Sequence, residues 1–152
     1  MKYILFILLF SSSAFSGNYN HVLGEIQSLT ILNHFPEVNV DLDRIVMHGL
    51  SSGGQGVWNF IGQYPKTIAA ALPMSAASTN YYSSINNFKH LPIWLSQGGK
   101  DNAPTPFTAK NLVDEIVNAG GNIRYTLYKE LGHGVWNTHY GESDFWSFIN
   151  RA

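Results

Sequence analysis

A short glycine-rich run, residues 49–53 (GLSSG), constrains this chain more than any other feature. It follows an apolar stretch at residues 44–48 and precedes a stretch with helical periodicity. A serine in such a run, between a strand and a helix, is the G-x-S-x-G pattern in which the hydroxyl of Ser51 stands exposed on a sharp turn. Glycines flank the serine because larger side chains would collide with the neighbouring backbone. An ordinary strand-to-helix turn is the alternative, unless an acid and a base follow.

Apolar strands and helical stripes alternate along the rest of the chain. Strands are predicted at residues 45–47, 68–72, 93–96 and 123–128, and helices at 22–29, 57–64, 109–117 and 145–149. Pro73 is expected to close the second strand, and the polar stretch 75–87 to form loop or short helix. Four buried strands separated by helices predict an α/β fold with three layers and a mostly parallel sheet.

The carboxyl ends of the predicted strands gather three reactive side chains. Ser51, Asp101 and His133 each follow a different strand, and parallel strands place these ends on one edge of the sheet. An imidazole can take the proton of a serine hydroxyl as it attacks, and a carboxylate can orient that imidazole. We therefore predict Ser51 as nucleophile, His133 as base and Asp101 as orienting acid. Trp136, three residues after His133, is a candidate wall of the substrate pocket.

Each member of this set has a plainer interpretation. Asp101 suits a turn residue in a glycine-rich loop, and His133 suits a surface loop. His139 is the rival base, six residues past His133, and Glu130 is the nearest competing acid. His48 is expected to be a hydrogen-bonded core residue, because it lies on a buried strand.

Composition excludes several other classes of function. The chain has 152 residues, a formal net charge of −1 and no cysteine. Its length suits one domain, and its charge gives no reason to expect nucleic acid as a partner. Gln55 stands where a phosphate-binding loop needs lysine, and no metal-ligand motif is present, so no cofactor or metal is predicted.

The N-terminus has the pattern of a secretory leader. Lys2 precedes an apolar run at residues 3–10, and the small residues Ala14 and Ser16 suit cleavage after Ser16. The run is shorter than the about 20 apolar residues of a membrane-spanning helix, so no stable membrane insertion is expected. We predict a signal peptide at 1–16, one domain at 17–152 and a secreted or periplasmic protein. A buried first strand is the alternative use of the apolar run.

Taken together, these motifs resemble the α/β-hydrolase superfamily. The resemblance is to its secreted esterases, in the polyhydroxybutyrate-depolymerase-like, feruloyl-esterase-like and "predicted peptidase" branches. It is carried by residues 40–45 (VDLDRI), 49–54 (GLSSGG), 64–65 (YP), 99–101 (GKD) and 132–137 (GHGVWN). The order Ser, Asp, His along the chain is also the one these enzymes use. The resemblance implies hydrolysis of small or polymeric carboxylic esters.

One departure from that family concerns the region before the turn at residues 49–53, which carries Ser51 and which we call the elbow. The family carries further strands there, and the loop after one of them supplies an oxyanion donor; here only the Ser52 N–H is identifiable as such a donor. The elbow strand is consequently expected to be an exposed sheet edge, open to self-association. Two hypotheses remain open: a secreted serine esterase, or a truncated hydrolase domain that is catalytically silent or needs a partner to complete it.

Overall fold

The computed structural model describes residues 3–9 and 40–151. The strands are β1 (Tyr3–Leu9), β2 (Val40–Leu50), β3 (Ala70–Met74), β4 (Ile93–Gly98) and β5 (Ile123–Tyr128). The helices are α1 (Ser52–Gln63), α2 (Ile85–Phe88), α3 (Pro106–Asn118), α4 (Trp136–Tyr140) and α5 (Phe145–Asn150), with 3-10 turns at Pro65–Thr67 and Thr79–Ser84. The helix predicted at residues 22–29 lies outside the described residues.

The five strands form one parallel sheet in the order β1-β2-β3-β4-β5. Alternate residues of β2 enter two different cores. Ile45 and Met47 lie in a core with buried side chains of α1 and α3, whereas Val46 lies in a second core with Phe145 and Ile149 of α5. Helices therefore cover both faces of the sheet, and the predicted three-layer α/β fold is confirmed.

The expectation that the elbow strand is an open edge is wrong for this structure. β2 lies between β1 and β3, and Leu9 is the register partner of Gly49. The covering strand uses the apolar run that the sequence pattern assigned to a leader. While β1 is paired, the backbone edge of β2 makes its hydrogen bonds within the sheet.

One local expectation also needs correction, and one helix was not predicted. Pro73 lies inside β3 and does not close it. The amides of Ala71 and Ser75, on either side of it, donate to Pro92 O and Ser96 O, so proline removes one rung of the ladder while the strand continues. Helix α4 was not predicted, because it is a five-residue helix without an apolar stripe.

Within the described part of the chain, no helix combines the length and apolar character required to cross a membrane.

Candidate active site

Ser51 occupies a strained turn between β2 and α1. Its backbone has φ 53° and ψ −119°, a conformation that residues other than glycine rarely adopt. The turn is fixed at both sides, because the Ser51 amide donates to Met74 O at 2.9 Å and the Gln55 amide donates to Ser51 O at 3.0 Å. The neighbouring strand and the first helical turn together hold Ser51 at the edge of the sheet.

The glycines of the elbow are required by close backbone contacts. A Cβ atom on Gly49 would lie 2.4 Å from the carbonyl carbon and oxygen of Gly53. A Cβ atom on Gly54 would lie 2.5 Å from the Cβ of Ala76. Carbon atoms do not approach this closely without displacement of the backbone, so the glycine spacing follows from the sharpness of the turn.

The loops after β4 and β5 pack directly against each other. The Gly99 amide donates to Tyr128 O and the Lys100 amide donates to Leu131 O, both at 2.8 Å. A Cβ atom on Gly98 would lie only 1.9 Å from Gly132 O, so the two loops leave no room for a side chain between them. This contact sets the position of the loop after β4, which carries Asp101 (the acid loop), relative to the loop after β5, which carries His133 (the base loop).

The structure brings the three predicted side chains into one hydrogen-bonded chain. His133 Nε2 lies 2.8 Å from Ser51 Oγ, and His133 Nδ1 lies 2.8 Å from Asp101 Oδ2. Because a carboxylate can only accept, Nδ1 carries the proton and Nε2 is free to accept from the serine hydroxyl. The Asp101 side chain is 3% exposed and that of His133 is 38% exposed, so the acid is buried while the base borders solvent.

Two further polar side chains, which sequence reasoning missed, support this chain. Gln97 Nε2 donates to Asp101 Oδ2 at 3.0 Å, and the backbone amide of Ala103 donates to Oδ1 at 3.0 Å. Ser75 Oγ donates to the backbone oxygen of His133 at 2.8 Å. The backbone of Ser75 itself has a positive φ of 48°. Both residues stand at carboxyl ends of strands, which is the signal that could have drawn attention to them.

The other predicted site residues lie beside the serine and the histidine. Ser52 begins α1, so its N–H is one of the first-turn groups that have no partner within the helix. This N–H follows Ser51 directly and is the oxyanion donor predicted from the sequence. The Trp136 ring meets the His133 ring edge-on, at a centroid distance of 6.1 Å and an interplanar angle of 89°.

The competing acid and base have other partners. His139 is buried, its Nδ1 lies 3.2 Å from the Tyr128 hydroxyl, and burial lowers its pKa to about 4. Glu130 is exposed and pairs with Lys100 at 2.6 Å. His48 is buried and hydrogen-bonds to the Tyr140 hydroxyl at 2.9 Å, which confirms the expectation of a core histidine. In the described ranges no group of three His, Asp or Glu side chains could hold a metal ion.

Comparisons with solved structures place this fold in a known class. No family model matches the chain, and no curated protein does. A thermostable esterase is 28% identical with a TM-score of 0.72, over 87% of this chain and 36% of that protein. SOBER1 of Arabidopsis thaliana is 23% identical with a TM-score of 0.63, over 88% and 65%. FphF, a fluorophosphonate-binding serine hydrolase of Staphylococcus aureus, is 12% identical with a TM-score of 0.73, over 99% and 85%.

This chain has the α/β-hydrolase fold and belongs to the α/β-hydrolase superfamily. It spans about a third of the length of the thermostable esterase and about two thirds of SOBER1. The branch of the superfamily stays a prediction from the motifs.

Proposed function

We propose that this protein is a serine hydrolase that cleaves carboxylic esters through an acyl-enzyme on Ser51. The observation that carries the proposal is the continuous chain from Ser51 Oγ through both nitrogens of His133 to the Asp101 carboxylate. A serine on a strained turn, a base at hydrogen-bonding distance and a buried acid are the parts that acyl transfer requires.

The geometry supports a specific sequence of proton transfers. His133 Nε2 takes the hydroxyl proton while Ser51 Oγ bonds to the ester carbonyl carbon, and the Ser52 N–H stabilises the oxyanion. Collapse of the tetrahedral intermediate breaks the bond to the alcohol, which leaves with the proton from His133. Water then attacks the acyl-enzyme by the same route, releasing the acid and restoring Ser51. Asp101 holds the imidazole tautomer and stabilises the imidazolium throughout.

The Trp136 ring is a candidate apolar wall of the substrate pocket. It lies against the His133 imidazole and is partly exposed, so it borders the space in which the acyl or alcohol group would sit. We propose that small or polymeric esters with an apolar group bind against it, without a metal or organic cofactor. An aromatic face provides a large contact area for such a group.

The decisive test compares Ser51→Ala with Ser52→Ala in the hydrolysis of p-nitrophenyl acetate. Loss of the nucleophile is expected to lower kcat by about 10⁴-fold or more. The matched control removes only an exposed hydroxyl and keeps the backbone N–H, so its rate is expected to stay close to wild type. Equal rates for wild type and Ser51→Ala would refute the proposed role of Ser51.

A second candidate is a hydrolase domain that is silent on its own or completed by a partner. The observation behind it is that only the Ser52 N–H is identifiable as an oxyanion donor. A fluorophosphonate probe separates the two candidates, because it reacts with an activated serine without requiring turnover. Labelling of Ser51 with no hydrolysis of any ester tested would favour this second candidate.

We also propose that the protein is exported, with residues 1–16 as its leader. The support is the cationic start, the apolar run and the small residues before Gly17. The N-terminal sequence of the protein recovered from the cell exterior or periplasm tests this: a start at Gly17 supports the proposal, and a retained Met1 in the cell interior contradicts it.

A further inference from the structure

Gln97 is a buried amide that the proposed reaction does not itself use. It stands near the end of β4, and the residue has no exposed surface. A primary amide taken out of water destabilises a fold unless its hydrogen bonds are replaced. Oε1 has no hydrogen-bond partner among the described residues, so what Gln97 contributes lies in the contacts of its nitrogen.

The nitrogen of the Gln97 side chain faces three oxygen acceptors. Nε2 lies 3.0 Å from Asp101 Oδ2, 3.0 Å from Pro104 O and 3.3 Å from Gly98 O. All three are acceptors, so only the NH2 end of the amide can occupy this position. Its two hydrogens serve the two shorter contacts, one to the carboxylate and one to the backbone beyond it.

Three donors contact the two oxygens of the Asp101 carboxylate. Oδ2 accepts from both Gln97 and His133 Nδ1, while Oδ1 accepts from the amide of Ala103. The donors hold the rotation of the carboxylate and keep Oδ2 directed at the imidazole. Because Gln97 also bonds to Pro104 O, it ties the carboxylate to the far end of the acid loop.

We propose that Gln97 is a positioning residue for this hydrolase, holding Asp101 so that Oδ2 accepts the hydrogen bond from the Nδ1–H of His133. The inference rests on the proposed function, because the acid matters only if His133 acts as a base. Gln97 acts through Asp101 alone and makes no contact with the nucleophile among the hydrogen bonds of the described residues.

The kinetic test uses Gln97→Met and Gln97→Glu in the full chain. The first removes the donor and keeps the length. The second keeps the shape but places a carboxyl group beside Asp101, where a proton shared between the two carboxyl groups competes with the hydrogen bond from His133 Nδ1. We expect kcat to fall about 10- to 100-fold with KM nearly unchanged, because a hydrogen bond to a charged group is lost without a change in the substrate site. The matched control is Thr126→Val, which removes a hydrogen bond to Trp94 Nε1 (2.9 Å) on the adjacent strand and is expected to leave kcat unchanged.

A spectroscopic test separates failure of this inference from failure of the proposed function. The hydrogen-bonded Nδ1 proton of His133 gives a downfield proton NMR resonance that needs no substrate. We expect both Gln97 variants to shift or broaden it and Thr126→Val to leave it in place. A wild type without esterase activity would refute the proposed function while the resonance still tests Gln97.

Two results would overturn the role of Gln97. One is an unchanged resonance with wild-type kcat in Gln97→Met or, if that variant does not fold, in Gln97→Glu. The other is an equal loss of kcat in Thr126→Val, which would show that disturbance of the sheet alone accounts for the effect.

Discussion

At the scale of single residues, the site depends on positions that have no room for a side chain. Gly49 allows the elbow to close on Gly53, and Gly98 allows the acid loop to reach the base loop at Gly132. The strained backbone of Ser51 persists because these contacts and the hydrogen bond to Met74 hold it. The geometry of the candidate site is thus set largely by backbone contacts.

Gly98→Ala is expected to disrupt the site, and Gly132→Ala provides a matched control. The added methyl on Gly98 would lie 1.9 Å from Gly132 O, whereas one on Gly132 meets nothing within 4 Å. We expect Gly98→Ala to lower the free energy of unfolding by about 3 kcal/mol or more and to abolish hydrolysis. Urea unfolding and an ester assay measure both effects. Similar stability of the two variants would contradict the close contact.

The sequence allowed some of these residues to be predicted and concealed others. Ser51, Asp101 and His133 could be found because each follows a predicted strand and the three types suit one reaction. Gln97 and Ser75 could not, because their contacts depend on the paths of the acid and base loops. A polar residue at a strand end has many uses, and only the folded loops show which one applies.

At the scale of elements, α4 and α5 cover one face of the sheet with a histidine-containing core. His139 of α4 meets Trp94 edge-on at a centroid distance of 4.5 Å, and Phe145 of α5 contacts both rings. His48 of β2 lies against Tyr140 in the same layer. Burial, followed by the charge of Arg124, lowers the pKa of His139 to about 4; burial, followed by His139, does the same for His48.

Because of these two histidines, we expect the free energy of unfolding to depend on pH. Their pKa is about 4 in the folded chain, against 6.5 for an unperturbed imidazole, so folding favours the neutral form. The stabilisation is present above pH about 6.5 and is lost as the pH falls toward 4, where the unfolded chain binds protons first. When the pH is lowered from 7 to 4.5, the free energy of unfolding should fall in both proteins. We expect the fall to be about 2–3 kcal/mol smaller for His139→Phe than for wild type.

The control for this pH effect is an exposed histidine. His90 lies on the surface, so His90→Gln is expected to keep the wild-type pH dependence. Urea unfolding of the three proteins at both pH values provides the measurement. If His139→Phe and wild type lose equal stability, the buried histidine is not the source of the acid sensitivity.

Helix α3 begins with a side-chain cap directly after the acid loop. Thr105 Oγ1 accepts from the amide of Thr108 at 3.1 Å, and Pro106 occupies the first helical position. We expect Thr105→Ala to lower the unfolding free energy by about 1 kcal/mol and Thr105→Ser to retain most of it, since serine can make the same bond. Thermal unfolding of both variants tests the cap, and equal losses would argue against it.

Element boundaries followed from the sequence where local pattern and tertiary packing agree. Strand β5 has the predicted range, because turns bound it on both sides. β3 extends past Pro73 because its neighbours tolerate one missing hydrogen bond, which no local pattern reveals. β1 lies in the apolar run that also suits a leader, and composition alone could not predict its pairing with β2.

At the scale of the whole molecule, the fate of the first residues determines the shape of the sheet. β1 covers the edge of β2, the strand that leads into Ser51. Cleavage after Ser16 would remove β1 and expose that backbone edge. If the proposed leader is removed on export, we expect self-association to follow, since an unpaired strand edge is a template for pairing with another chain.

A chain that begins at Gly17 is expected to be less stable than the full chain and to associate as its concentration rises. The physical reason is loss of the parallel ladder between Tyr3–Leu9 and β2. Size-exclusion chromatography over a concentration series, together with urea unfolding, measures both effects. Ile7→Pro in the full chain keeps the length and removes one backbone donor from β1, so an intermediate stability is expected. A shortened chain that stays monomeric with full stability would contradict the linkage.

The edge-on contact between Trp136 and His133 also supplies an optical reporter. Indole emission is quenched by a protonated imidazole in contact with it, so the fluorescence of this tryptophan should follow the charge of the neighbouring ring. The difference spectrum between wild type and Trp136→Phe would isolate that signal from the other three tryptophans. The protonation of the proposed base could then be followed in real time, before any substrate is known.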